Sequence, residues 1–145
     1  MKDFHTGRWL LGGVVAGLVV WVLEGALSAL YIEEMTARLG ALGLSMEVSA
    51  AYLAASLAVT LLGGLVMIYF YVLAREALGP GPVTALVVAF ALFCGGYLPS
   101  LIGYYLLGLF RTGLLLQWAV QGLVEMLIGA IVGALLYKPR ANPGS

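Results

Sequence analysis

Two carboxylates stand where a charged group is costly. Glu24 and Glu125 each fall inside a long apolar run, and no lysine or arginine lies inside any such run to compensate. A charge at the centre of a membrane helix costs on the order of 3 kcal/mol on insertion scales. Desolvation therefore favours the protonated acid, and a buried protonated acid still needs hydrogen-bond partners. Gln121 and Gln117 share a run with Glu125, while Ser28, Thr60 and Ser100 lie at usable depths on the other runs. With Ser56 and Tyr97 they complete a candidate polar lining. Such a set suits proton or solute binding, one acid taking up a proton or cation while the other tunes it. The rival reading is adhesive, with Glu24, Gln121 and Glu125 holding two helices together. Interhelical hydrogen bonds in membranes average only ~0.6 kcal/mol, too little to explain two buried acids comfortably.

Several other chemistries are excluded by residue type. His5 is the only histidine and lies outside the apolar runs, so a bis-histidine haem within one chain is out. No run holds a lysine, which removes a retinal Schiff base. Cys94 is the only cysteine, so neither an internal disulfide nor a cysteine-built metal site is expected. No Ser-His-Asp or Cys-His set can form inside the runs, and Gly79-Pro80-Gly81-Pro82 resembles no phosphate-binding loop. The expectation is no catalytic residue, no metal and no other cofactor. With a net charge of zero and no cluster of basic residues, nucleic acid is not an expected partner.

These acids must be positioned by elements that suit lipid. Of 145 residues, 63% are apolar and only 10% charged, with a mean hydropathy of +1.06. Soluble domains sit nearer ~45–50% apolar and ~25% charged. So few charges cannot cover this much apolar surface in water, whereas a bilayer solvates it. Four apolar runs, at about 9–31, 49–73, 83–107 and 114–137, each reach the ~20 residues needed to cross the hydrocarbon. The pattern predicts an all-α, polytopic membrane protein: one four-helix domain over 1–138 and a disordered tail over 139–145.

The breaks between runs have their own chemistry. Gly79 can end the second helix in the left-handed region, Pro82 suits the first turn of the third, and Thr112 can cap the fourth. The 33–48 connection is either a short interfacial helix, with Met35, Leu39, Leu42 and Met46 near one face, or an ordered loop. Basic residues set the orientation. With both termini inside, the inner side carries Lys2, Arg8, Arg75, Lys138 and Arg140, and the outer side only Arg38 and Arg111. Tyr31 and Trp118 read as members of an outer aromatic belt.

Twenty glycines supply the close approach that helix association in lipid requires. Gly13, Gly17, Trp21 and Gly25 form one row on the first helix, and Gly12, Ala16, Val20, Glu24 and Ser28 form another. Gly64 on the second helix and Gly129 and Gly133 on the fourth offer matching surfaces. On the third helix, Gly95 and Gly96 precede Pro99, whose missing N–H frees a carbonyl and predicts a kink.

The segment Tyr71-Val72-Leu73-Ala74-Arg75, followed by Gly79-Pro80-Gly81-Pro82-Val83-Thr84-Ala85, resembles a junction in uncharacterised small bacterial four-helix integral membrane proteins. That resemblance, with an acid in the last helix after Gly-Leu-Val, implies the four-span topology and a bacterial inner (cytoplasmic) membrane; it implies no activity. Four helices with an acid in the first also resemble small multidrug transporters, although this chain is longer and lacks their aromatic motif. The expected function is a proton-linked small-solute transporter or channel-like oligomer. A structural subunit docked on a partner membrane protein is the alternative, and an intramembrane enzyme is the least favoured class. Four helices rarely enclose a pathway alone, so a homo-oligomer or a membrane-protein partner is expected beside the lipid.

Overall fold

A computed structural model describes residues 4–137. Among them the elements are α1 (Thr6–Ser28), α2 (Ile32–Ala41), α3 (Ala50–Leu78), α4 (Pro82–Leu92), a π-helical turn (Phe93–Tyr97), α5 (Leu98–Leu106) and α6 (Thr112–Leu136). Four helices are long and apolar enough to cross a membrane: α1, α3, the rod formed by α4, the π turn and α5, and α6. The fold is an all-α four-helix membrane bundle, and the chain is a multi-pass membrane protein. The tail 139–145 lies outside the described residues, as do Lys2, Lys138 and Arg140.

Local chemistry sets the helix ends. The Ser49 side chain accepts a hydrogen bond from the Tyr52 N–H and opens α3. That helix runs on through Arg75 and Glu76 to Leu78, because exposed charges do not break a helix, and stops at Gly79 with φ 82°. Pro82 then occupies the first turn of α4, where its missing N–H costs nothing. Thr112 is inside α6 rather than its cap; Arg111 holds the cap position and contributes no side-chain capping bond. The connection after α1 contains a short helix, α2, followed by an irregular stretch; Met35 and Leu39 lie in that helix, while Leu42 and Met46 lie beyond its last residue. Glu33 and Glu34 in its first turn and Arg38 in its last complement the helix dipole, and Gly43 at φ 74° follows its end.

The central element is α1, packed between α3 and α6. Its two small-residue rows divide the work. A Cβ added at Gly13 would lie 2.7 Å from Leu65 Cα, and one at Gly17 would lie 2.6 Å from Leu61 Cα. A Cβ at Gly64 would lie 2.8 Å from Gly17 Cα, so the α1–α3 seam closes to backbone contact. The second row meets α6. A Cβ at Gly12 would meet the Gly133 carbonyl oxygen at 2.7 Å, and one at Gly129 would meet Val20 Cγ2 at 2.9 Å.

Gly25 does not continue the first seam, contrary to the sequence expectation: a Cβ there would meet nothing within 4 Å. The cause is Trp21, one turn earlier, whose indole N–H donates to Ser56 Oγ at 2.9 Å. A side chain of that size wedges α1 away from α3. The expected kink also takes a different form. The Leu98 N–H bonds to the Phe93 carbonyl, five residues back, so the irregularity before Pro99 is a π turn. Gly95 and Gly96 are exposed, a Cβ at either would meet nothing within 4 Å, and Pro99 is exposed as well.

Packing is densest towards the end of the bundle where α1 begins and α6 ends. Ala16, Ile68, Ala85, Ala89, Ala130 and Tyr137 belong to one buried cluster there. The Tyr137 hydroxyl accepts from the His5 N–H at 3.1 Å, and the Arg75 guanidinium sits 5.2 Å from its ring centre. Towards the opposite end, which carries α2, α5 packs closely only on α6 and the π turn.

Candidate functional site

The two acids meet because the second small-residue row leads them together. Gly12 opposes Gly133, and Ala16 and Val20 oppose Gly129. One further turn along each antiparallel helix brings Glu24 to Glu125. Their carboxyl groups lie within hydrogen-bonding reach of each other. Glu125 is 3% exposed, and Glu24 is half-buried.

Two tyrosines complete the surroundings. The Tyr31 hydroxyl donates to Glu24 Oε1. Tyr31 is buried at 7% exposure, against the expectation that it belongs to a lipid-facing belt. It follows α1 by hydrogen-bonded turns, its N–H reaching the Ser28 carbonyl, so it stays on the Glu24 face two turns on. The π turn carries Tyr97 over Gly122, where a Cβ would lie 2.6 Å from the Tyr97 ring. Gly122 is one turn from Glu125, and Tyr97 stands in the field of both acids.

Other residues singled out in the sequence divide clearly. Gln121 lies one turn from Glu125 on α6, and both its side-chain polar atoms are buried without a partner. Gln117 lies a further turn away and is half-buried. The hydroxyls are occupied within their own helices. Ser28 Oγ donates to the Gly25 carbonyl at 2.8 Å, Thr60 Oγ1 to the Leu57 carbonyl at 3.0 Å and Ser100 Oγ to the Gly96 carbonyl at 3.0 Å. Among the described residues no hydrogen bond joins Gln117, Ser28, Thr60 or Ser100 to either acid. Back-bonding of this kind is how a hydroxyl is satisfied in lipid without a second helix.

Above the acids, towards the α2 end, lie three rings. Trp118 packs edge-on against Tyr31 at 5.5 Å and against Phe110 at 4.9 Å. Beyond them, α2 is strapped across the α5–α6 turn. Arg111 pairs with Glu34 through both Nε and Nη2, the second contact at 2.7 Å. Arg38 donates to the Leu109 and Gly108 carbonyls at 2.8 and 2.7 Å. Glu34, Arg38, Phe110, Arg111 and Leu114 line a cavity of ≈ 620 Å³ beneath this strap.

Two carboxyl groups so placed can bond to each other only if one of them carries a proton. The arrangement is therefore a place where one proton can be held between two helices, with a tyrosine donor on the outer carboxyl. Comparison of the chain with family models, with curated proteins and with solved structures yields no match.

Proposed function

We propose that this chain is a proton-linked transporter of a small solute, working as an oligomer in a cytoplasmic membrane with both termini inside. The carrying observation is the approach of the Glu24 and Glu125 carboxyl groups between α1 and α6, deep in the bundle, with no lysine or arginine among the groups acting on Glu125. A shared proton bridges the two helices. Removing it sets two carboxylates against each other in a low-dielectric medium, which drives them apart. Protonation is thereby linked to the α1–α6 spacing, as alternating exposure of a site requires. Tyr31 ties this movement to α2, since its hydroxyl holds Glu24 and its backbone leads directly into that helix.

The test uses liposomes containing the protein and an internal pH-sensitive dye, offered a panel of small polar solutes. At least one solute should move protons with the wild type, and Glu24→Gln and Glu125→Gln should each slow this at least about tenfold. Proton movement equal in wild type and both variants, or none with any solute, overturns the reading.

A second reading is an accessory subunit without activity of its own. One observation favours it: Ala51, Ala55 and Ala58 lie exposed on one face of α3 in its first turns, a surface small enough for another helix to approach. Purification in mild detergent separates the two, because a stoichiometric partner favours the subunit and a homo-oligomer the transporter.

A further inference from the structure

The cavity under α2 carries charge chemistry that the acid pair does not use. Its ≈ 620 Å³ falls in the range of roughly 300–1,000 Å³ that small ligands occupy. Glu34, Arg38 and Arg111 supply its polar wall, and Ala37, Phe110 and Leu114 its apolar one.

Both guanidiniums are held in place and neither is used up. Arg38 gives Nε and Nη2 to the Leu109 and Gly108 carbonyls, and Arg111 gives the same two nitrogens to Glu34. Among the described residues, no hydrogen bond takes Nη1 of either arginine. A guanidinium has five N–H donors, so each keeps an amino group to offer from a fixed position. A carboxylate accepts such donors strongly, and donors already fixed lose little freedom when it binds.

Charge sets the class of ligand. Two cations and one carboxylate line the cavity, which leaves a single net positive charge. A cation would be repelled, a dianion would leave an excess negative charge beside Glu34, and a monoanion leaves the cavity neutral. The Ala37, Phe110 and Leu114 wall suits an apolar body rather than a bare ion.

The cavity is also connected to the acid pair. Phe110 packs on Trp118, Trp118 packs on Tyr31, and the Tyr31 hydroxyl donates to Glu24. An occupant against Phe110 therefore presses on a run of three rings that ends at Glu24. An anion crossing hydrocarbon alone is costly, and a proton taken up with it cancels its charge.

We propose that the cavity under α2 takes up a small organic monoanion, its carboxylate on Arg38 and Arg111 and its apolar body against Phe110 and Leu114. That this anion is the transported solute rests on the function proposed above; its binding does not. A phospholipid offers related chemistry, a singly charged phosphodiester on an apolar body, and the experiment separates the two sources.

The probe is para-fluorobenzoate, read by fluorine relaxation with the full chain in phosphatidylcholine nanodiscs and empty discs as the blank. Its signal should broaden beyond the blank, and that of uncharged para-fluorobenzyl alcohol much less. Arg38→Gln removes one guanidinium while the Arg111–Glu34 pair still holds α2; Ala37→Trp fills the cavity and removes no charge. Each should weaken binding at least about tenfold. No broadening beyond the blank, equal broadening by the alcohol, or binding that either variant leaves unchanged overturns the site. Replacing part of the phosphatidylcholine by phosphatidylglycerol tests the lipid source. Binding that persists relative to empty discs of the same composition supports a dissolved anion; binding lost there assigns the cavity to a lipid headgroup and overturns the solute. Probe binding by a chain that moves protons with no solute removes the proposed function and leaves the site; proton movement without probe binding removes the site and leaves the function.

Discussion

Glu24 and Glu125 draw their importance from what surrounds them rather than from their number. Each acid alone in lipid would be a large expense; facing each other, they can share one proton, with Tyr31 donating to the outer carboxyl. Tyr31→Phe removes that donor and should lower stability by about 0.5–1.5 kcal/mol, measured by unfolding in mixed micelles. A loss well beyond that range would mean that Tyr31 supports packing as well. The acids were legible in the sequence because a carboxylate in an apolar run has few explanations. Tyr31 was not, because an aromatic residue at a helix end reads as an interfacial anchor. The signal was its spacing: seven residues past Glu24 returns to the same helix face.

At the scale of elements, glycine decides which helices touch. Gly17→Ala forces a methyl group against the α3 backbone and should cost about 1–3 kcal/mol, whereas Gly25→Ala should stay within about 0.5 kcal/mol. Equal effects would contradict the seam as described. The small-residue rows were readable at their spacing of four. The point where a seam ends was not, because it depends on how far the Trp21 indole holds α1 from Ser56. The π turn was hidden for a similar reason: Pro99 removes a hydrogen bond, and neighbouring packing chooses the backbone form that absorbs the loss.

The strap over α2 responds to pH. The Arg111 hydrogen bond holds the Glu34 carboxyl below its ordinary value of 4.5. A lowered folded value means that the strap is complete above that ordinary value and is lost as pH falls through the lower one. A spin label on exposed Thr36, with Cys94 replaced by serine, should stay ordered at neutral pH and loosen only in strong acid. Arg111→Ala should loosen it at every pH; a variant as ordered as the wild type would show that the ion pair does not hold α2.

The molecule as a whole is asymmetric along the membrane normal. The half where α1 begins and α6 ends is filled with alanine, glycine and interlocked aromatic residues, and the half near α2 holds the acids, the unpartnered polar atoms of Trp118 and Gln121, and a cavity. Local opening follows packing density, so backbone hydrogen exchange in lipid should be faster around Glu24 and Gln121 than around Ala16 and Ala130. Uniform protection along α1 and α6 would contradict a soft outer half. Composition made the four spans legible, since only lipid accommodates so apolar a chain. Which half is dense was not legible, because glycine rows occur in both and only their partners distinguish them.

The proton that the proposed function places between Glu24 and Glu125 is tested directly by infrared spectroscopy of the protein in lipid at neutral pH. A protonated-carboxyl band should be present, shift in heavy water, and be removed or displaced by both Glu24→Gln and Glu125→Gln. A wild-type spectrum without that band, or a band that neither substitution alters, would contradict the shared-proton pair.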